Sequence, residues 1–145
     1  MSGRGSGPTR WAFVFAVALF SVRVAPIGAE LRIGFSEAEI TPPLGAPMAG
    51  YAARIGSAES IHDPLSIQAV VLGDGERRIA LVALDLRRLA SERVIETLRT
   101  DGIEHVILAS SHTHSGPNAE DERFRGSAGP WRAELEDRVI ETVRR

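Results

Sequence analysis

Two histidines separated by one residue are the feature of this sequence that most clearly suggests chemistry. His112 and His114 lie in the run SSHTHSGP, residues 110–117, which ends in a turn-forming Ser-Gly-Pro sequence. Neutral imidazole is the commonest metal ligand in proteins, and zinc binds its nitrogen at about 2.0–2.1 Å. On an extended backbone both imidazoles would point to the same side. The spacing alone leaves two interpretations open, a pair of metal ligands or a solvated turn.

The segment before this run should position it. His105–Ser110 is an apolar run with little alternation, which is typical of a strand that is covered on both faces and pairs in parallel. Ligands of open α/β sheets bind beyond the carboxyl ends of such strands, where His112 would lie. Gly116 would let the backbone approach a substrate closely. This placement makes the metal-ligand interpretation as good as that of a solvated turn, and both stay open.

The preceding residues predict the rest of a βαβ unit. Residues 67–72 and 79–86 have the composition of two strands, and the Asp-Gly pair at 74–75 between them is a strong hairpin signal. Ser91 can cap a helix that ends near Gly102. The apolar face of this helix would consist of Val94, Ile95 and Leu98. A strand, a helix and a strand in this order predict that the strands over 79–86 and 105–110 run parallel.

Two further elements and a loop complete the predicted fold. Leu31, Ile33 and Phe35 alternate with small or polar residues, which predicts a half-buried strand. Residues 41–51 contain three prolines and two glycines, so they should form a loop. Pro130 suits the start of a helix whose apolar residues recur at every fourth position. These residues are Trp131, Leu135, Val139 and Val143. The predicted class is α/β, a mixed sheet with helices packed on it.

Composition limits the possible functions. The chain has 145 residues, enough for one domain, and its formal net charge of −2 does not suggest a nucleic-acid partner. It has no cysteine, so disulfides cannot stabilise it.

The amino-terminal residues resemble a secretory leader. Arg4 and Arg10 precede an apolar run over residues 11–22, and Gly28 and Ala29 are the small residues that suit a signal-peptidase site. The run is shorter than the about 20 residues that cross a membrane as a helix. We predict a signal peptide over residues 1–29 and a secreted or periplasmic domain over residues 30–145, with an uncleaved anchor as the alternative.

Four segments in order resemble the neutral/alkaline, non-lysosomal ceramidase family. They are AEITPPLG at 38–45 continuing through PMAGY at 47–51, IHDPL at 61–65, LVALDL at 81–86, and SSHTHSGP at 110–117. Their order along the chain makes the resemblance far more specific than any one segment. It implies that residues 30–145 form the N-terminal part of the catalytic domain, and therefore a partial domain.

The resemblance also implies a reaction and a set of site residues. Such enzymes use one zinc ion to hydrolyse the amide bond of ceramide, a lipid-like substrate, to a fatty acid and a sphingoid base. By the motif, His112 would bind Zn2+, His114 would contact the water or the developing oxyanion, and Ser115 and Gly116 would border the substrate. Asp85, at the end of its strand, could accept the second N–H of an imidazole or cap a turn. The family's other ligands, a histidine, a glutamate and a tyrosine, lie further downstream and have no counterpart in this chain.

Other interpretations remain open at this stage. A metallo-β-lactamase-like hydrolase would need an Asp-His pair where Gly116 and Pro117 stand, and a catalytically silent domain is the further alternative. Arg87 and Arg88 are either a solvated pair or a basic rim that attracts a lipid head group, which would bring peripheral contact with a membrane. His62 suits loop capping better than a substrate contact. The sequence does not indicate an oligomeric state.

Overall fold

The computed structural model describes residues 30–117, 119–120 and 129–145. The predicted signal peptide over residues 1–29 therefore lies outside the described residues. The elements are β1 (Arg32–Glu39), β2 (Ser66–Gly73), β3 (Arg78–Leu84), α1 (Glu92–Thr100), β4 (His105–Ser110) and α2 (Gly129–Arg144). No helix among the described residues is long and apolar enough to span a membrane.

The four strands form one mixed sheet in the order β1-β2-β3-β4. β1 pairs antiparallel with β2, and β2 pairs antiparallel with β3. β3 and β4 run parallel, and α1 connects them, so the predicted βαβ unit is confirmed. β3 ends at Leu84, two residues before the predicted end, and the residues that follow it enter the candidate site.

Both helices pack on the same face of the sheet. α1 contacts β4 and α2, while α2 contacts β1 and β2. The sheet residues beneath them are at most 1% exposed, and they are Ile67, Ala69, Ala80, Val82 and Leu84. The predicted apolar stripe of α2 is confirmed, because Trp131, Leu135, Val139 and Val143 are all buried. The α/β class and the packing of helices on a mixed sheet are therefore as predicted.

The opposite face of the sheet is open, which corrects two predictions. Ile33 and Phe35 are 65% and 64% exposed, so the alternating residues of β1 are not its buried face. Ile107 is 52% exposed, so β4 is not covered on both faces. Phe35, Val70, Leu81 and Ile107 stand opposite one another in the strand register, so they form an apolar row on the face without helices. The described residues thus form a partial α/β domain with one covered face.

Local capping explains where α1 begins. Ser91 is the N-cap, and its hydroxyl accepts a hydrogen bond from the backbone N–H of Val94 at 3.2 Å. Val94 and Leu98 are buried against the sheet, as predicted, and Gly102 takes a positive φ of 83° just after the helix. The Ser91 hydroxyl also lies 2.7 Å from Glu136, which ties the start of α1 to α2.

Candidate functional site

The candidate site begins where β3 and β4 end together. Beyond the last paired residues, the backbone N–H of Ser111 donates to the carbonyl of Leu84 at 2.9 Å. The backbone N–H of His112 then donates to the carbonyl of Leu86 at 3.0 Å. The sheet edge therefore continues past Ser110 and holds the start of the His-Thr-His run, as expected for the carboxyl end of a parallel pair.

His112 has an unusual backbone conformation. Its φ is 59°, and it is the one non-glycine residue with a positive φ in the part of the chain that the structure describes. The prediction of an extended His-Thr-His backbone is therefore wrong. A left-handed residue with a side chain costs about 1–2 kcal/mol, so surrounding contacts must hold it. The bond from the His112 N–H to Leu86 is one of these contacts.

The His112 ring makes the second contact, and this contact determines its tautomer. Nδ1 lies 3.1 Å from the carbonyl oxygen of Arg87. A carbonyl oxygen can only accept, so Nδ1 must carry the proton in this hydrogen bond. In the neutral ring, Nε2 then keeps its lone pair. This is the arrangement that a metal-binding histidine needs, with one nitrogen oriented by a backbone carbonyl and the other available to the metal.

His114 lies beside His112 although the backbone between them turns. The two ring centroids are 5.4 Å apart, with the ring planes tilted by 56°. The ring of Tyr51 contacts His114 edge-on, with centroids 5.1 Å apart. The two imidazoles are thus neighbours, as predicted, but a left-handed turn rather than an extended strand brings them together.

The loop rich in proline and glycine packs directly against the His-Thr-His run. The backbone N–H of Ala49 donates to the carbonyl of Gly116 at 3.2 Å, and Met48 forms an isolated bridge with Pro117. Gly50 has a φ of 114°, and a Cβ there would lie 2.6 Å from Cγ of His114. Only glycine therefore fits at this position.

Arg54 joins the same two segments through its side chain. Its Nη1 donates to the carbonyl of Ala49 at 3.0 Å and to the carbonyl of His114 at 2.8 Å. Its guanidinium carbon lies 4.9 Å from the centroid of the Tyr51 ring. Sequence analysis missed both Gly50 and Arg54, because no local pattern marks a residue whose partner is some sixty positions further along the chain.

A cavity of about 460 Å³ is lined by residues of the loop over 41–51, of the segment over 58–65 and of the His-Thr-His run. Ser115 and Gly116, the predicted substrate-bordering residues, both line it, as does Thr113. The described residues that line it do not include His112 or His114. The remaining lining is mostly apolar or small on the loop side, and it includes Pro42, Met48, Ala58, Ile61, Pro64 and Leu65.

Asp85 reaches the predicted edge of the sheet, where it contacts β2. Its Oδ2 accepts hydrogen bonds from the hydroxyl and the backbone N–H of Ser66 at 2.7 Å and 3.3 Å. These bonds support the capping alternative for Asp85. In this structure the Arg87 carbonyl, rather than Asp85, contacts the ring of His112.

The other two histidines belong to other segments of the chain. His105 begins β4, and is therefore at the opposite end of the strand from His112, as predicted. His62 lines the cavity, is well exposed, and has Nδ1 2.7 Å from a carboxylate oxygen of Asp63. Across the described ranges, no three side chains of histidine, aspartate or glutamate come together as a potential metal site.

The fold is similar to that of solved structures. No protein-family model matches the sequence. The structure is similar to the crystal structure of neutral ceramidase from Pseudomonas aeruginosa, with a TM-score of 0.65 and 24% identity over 79% of this chain. The fold is ceramidase-like. A second solved structure, a ceramidase complexed with C2, gives a TM-score of 0.66 at 24% identity over 79% of this chain.

The chain spans only part of the length of these two ceramidases. This chain covers 21% of the Pseudomonas neutral ceramidase chain and 20% of the ceramidase complexed with C2, about a fifth of each. The resemblance of the four sequence segments to ceramidases is thereby confirmed at the level of the fold.

Proposed function

We propose that this chain forms part of the active site of a zinc-dependent amidase of the ceramidase type. The enzyme hydrolyses the N-acyl bond of ceramide or a related lipid amide, and releases a fatty acid and a sphingoid base. One observation carries the proposal: Nδ1 of His112 is bound to the Arg87 carbonyl, which leaves Nε2 free as a ligand at the carboxyl end of a parallel strand.

The residues present fit part of a zinc site. Two imidazole rings 5.4 Å apart are nitrogen donors of the kind that zinc accepts, but a zinc shell usually needs three or four protein ligands. His112 would bind the ion, and the remaining ligands would come from outside the described residues. When bound, zinc supplies an activated water with a pKa near 7 and polarises the amide carbonyl.

His114 and the cavity would serve the substrate. His114, whose ring centroid is 5.4 Å from that of His112, would exchange a proton with the attacking water or donate to the developing oxyanion. The cavity of about 460 Å³ falls in the range of about 300–1,000 Å³ that is common for small-ligand pockets. Its apolar loop side suits a hydrocarbon segment, while Ser115 and Thr113 supply polar groups near the run.

Export and membrane contact belong to the same proposal. Residues 1–29 would direct the chain to the periplasm or the exterior. There the enzyme would meet its lipid substrates outside the cytoplasm. Arg88 does not support a free basic rim, because its Nε lies 2.9 Å from Glu120. Peripheral contact with a lipid surface is better supported by the exposed apolar loop residues Leu44, Ile55 and Ile61.

Paired histidine variants test the proposal. The complete product of the gene is purified as wild type, His112→Ala and His105→Ala, and its zinc content and release of fatty acid from ceramide are measured. We expect the His112 variant to lose both zinc and activity, whereas the His105 variant keeps both, since His105 lies at the far end of β4. Protein that holds no zinc and is insensitive to chelators would overturn the proposal. Zinc binding without turnover on any lipid amide would favour the silent-domain alternative.

A further inference from the structure

The side chain of Arg54 contacts three residues of the candidate site, two in its own loop and one in the His-Thr-His run. It donates to the backbone of its own loop at Ala49 and to the backbone of the His-Thr-His run at His114. Its guanidinium also lies over the face of Tyr51, within the range of a cation–π contact. The Tyr51 ring in turn contacts the ring of His114. One half-buried side chain thus touches both the backbone and the ring partner of a single histidine.

The two histidines of the run are held by different parts of the fold. His112 is held from the segment that follows β3, through the carbonyls of Leu86 and Arg87. Apart from the neighbouring ring of His112, the described contacts of His114 come from the loop, through Gly50, Tyr51 and Arg54. The position of the His114 ring relative to His112 therefore depends on how firmly the loop is attached to the run.

Arginine suits this attachment for a chemical reason. Its planar guanidinium can donate to two carbonyls in its plane while its face stacks on an aromatic ring. Lysine carries the same charge and can donate to a carbonyl, but it has no plane with which to stack. In the structure Nη1 donates to the carbonyls of Ala49 and His114, while the guanidinium carbon lies 4.9 Å from the centroid of the Tyr51 ring.

We propose that Arg54 is a positioning residue, which fastens the loop to the His-Thr-His run and, through Tyr51, holds the His114 ring beside His112. The importance of this arrangement for catalysis rests on the proposed amidase function. The positioning itself does not, and the two can be tested separately.

Nuclear magnetic resonance of the isotope-labelled 145-residue chain tests the positioning. The chain contains only four histidines and one tyrosine, so their ring signals can be assigned by substitution. We expect nuclear Overhauser contacts between the Tyr51 and His114 rings in the wild type, their loss in Arg54→Met, and partial retention in Arg54→Lys. Arg78→Met is the matched control, because Arg78 also donates to a backbone carbonyl, that of Asp101, at the other end of the sheet.

Two results would overturn the proposal. Ring contacts of His114 that are unchanged in a folded Arg54→Met chain would show that Arg54 does not position this residue. If Arg54→Met fails to fold, Arg54→Lys provides the test. Contacts between the Tyr51 and His114 rings that equal those of the wild type in Arg54→Lys would contradict the need for a guanidinium at this position.

Kinetics of the zinc-loaded enzyme give the catalytic readout. A displaced catalytic group can cost about 100-fold in rate, so we expect Arg54→Met to lower kcat by about 10- to 100-fold with a smaller change in KM. Arg54→Lys should recover part of the loss, and Arg78→Met should match the wild type. If the wild type shows no hydrolysis, the proposed function fails while the magnetic-resonance result still stands. Equal kcat for Arg54→Met and the wild type would show that the positioning has no catalytic value.

Discussion

Nδ1 of His112 lies 3.1 Å from the carbonyl oxygen of Arg87, and the backbone φ of His112 is 59°. The left-handed backbone and the ring contact belong together, because the same turn that strains the backbone brings the ring against the segment that follows β3. Strain of this kind persists only where surrounding contacts over-determine it, and it is common at functional sites. The relationship leaves Nε2 of His112 free, which is the basis of the proposed zinc site.

Gly50 should tolerate no side chain. In Gly50→Ala the new Cβ would lie 2.6–2.8 Å from three atoms of His114, at a φ of 114°. We expect a loss of about 3 kcal/mol or more in the free energy of unfolding, since steric conflict adds to backbone strain. Urea denaturation followed by circular dichroism measures this loss.

Gly45→Ala is the matched control for that measurement. Gly45 lies in the same loop with a φ of 84°, but a Cβ added there would meet nothing within 4 Å. Its substitution should cost only the backbone strain of about 1–2 kcal/mol. Equal losses for the two variants would show that Gly50 does not pack against His114 in solution.

The two faces of β3 should respond differently to truncation. Leu84 is 1% exposed beneath the helices, so Leu84→Ala should cost about 2–5 kcal/mol by leaving a cavity. Leu81 is 40% exposed on the open face, so Leu81→Ala should cost about 1 kcal/mol or less. Urea denaturation of the 145-residue chain measures both losses. A loss for Leu81→Ala as large as that for Leu84→Ala would mean that the open face is covered in solution.

The hairpin between β2 and β3 should contribute a pH-dependent part of the stability. Backbone N–H donors of Arg77 and Glu76 lower the pKa of Asp74. Because the folded pKa lies below the unfolded one, this contribution is present above the unfolded pKa of about 4 and is lost as pH falls through the folded pKa.

Asp74→Asn isolates this titration, since the amide oxygen can still accept the turn hydrogen bonds but carries no charge. We expect the wild type to exceed Asp74→Asn in stability at neutral pH, and the difference to shrink as pH falls below about 4. Thermal denaturation across this pH range measures it. A difference that does not change with pH would contradict the role of the Asp74 charge.

Elements defined by short-range patterns were predicted well from the sequence. β4 has the predicted bounds, Ser91 caps α1, and the stripe of α2 that includes Leu135 and Val139 is buried. Each of these features depends on residues within a few positions of one another. Periodicity and capping report such features directly.

Features that depend on distant packing were not predicted. The alternation of residues in β1 distinguishes its two faces, but the placement of the helices decides which face is covered. Phe35 is on the face that the helices do not cover. The φ of His112 is held by carbonyls that follow β3, and Arg54 acts on a residue sixty positions away. The location of the candidate site was therefore predictable, whereas the contacts that shape it were not.

The most direct test of the zinc site is to follow the ring nitrogens of His62, His105, His112 and His114 while zinc is added to the complete product of the gene, since the remaining ligands would come from outside the described residues. We predict that the Nε2 resonance of His112 shifts while its Nδ1 stays protonated against the Arg87 carbonyl, and that His105 does not respond. The response at His112 should disappear in His112→Ala without altering the signals of His105. A His112 ring that is unaffected by excess zinc, a shift at Nδ1 instead of Nε2, or equal changes in all four histidines would contradict the proposed site.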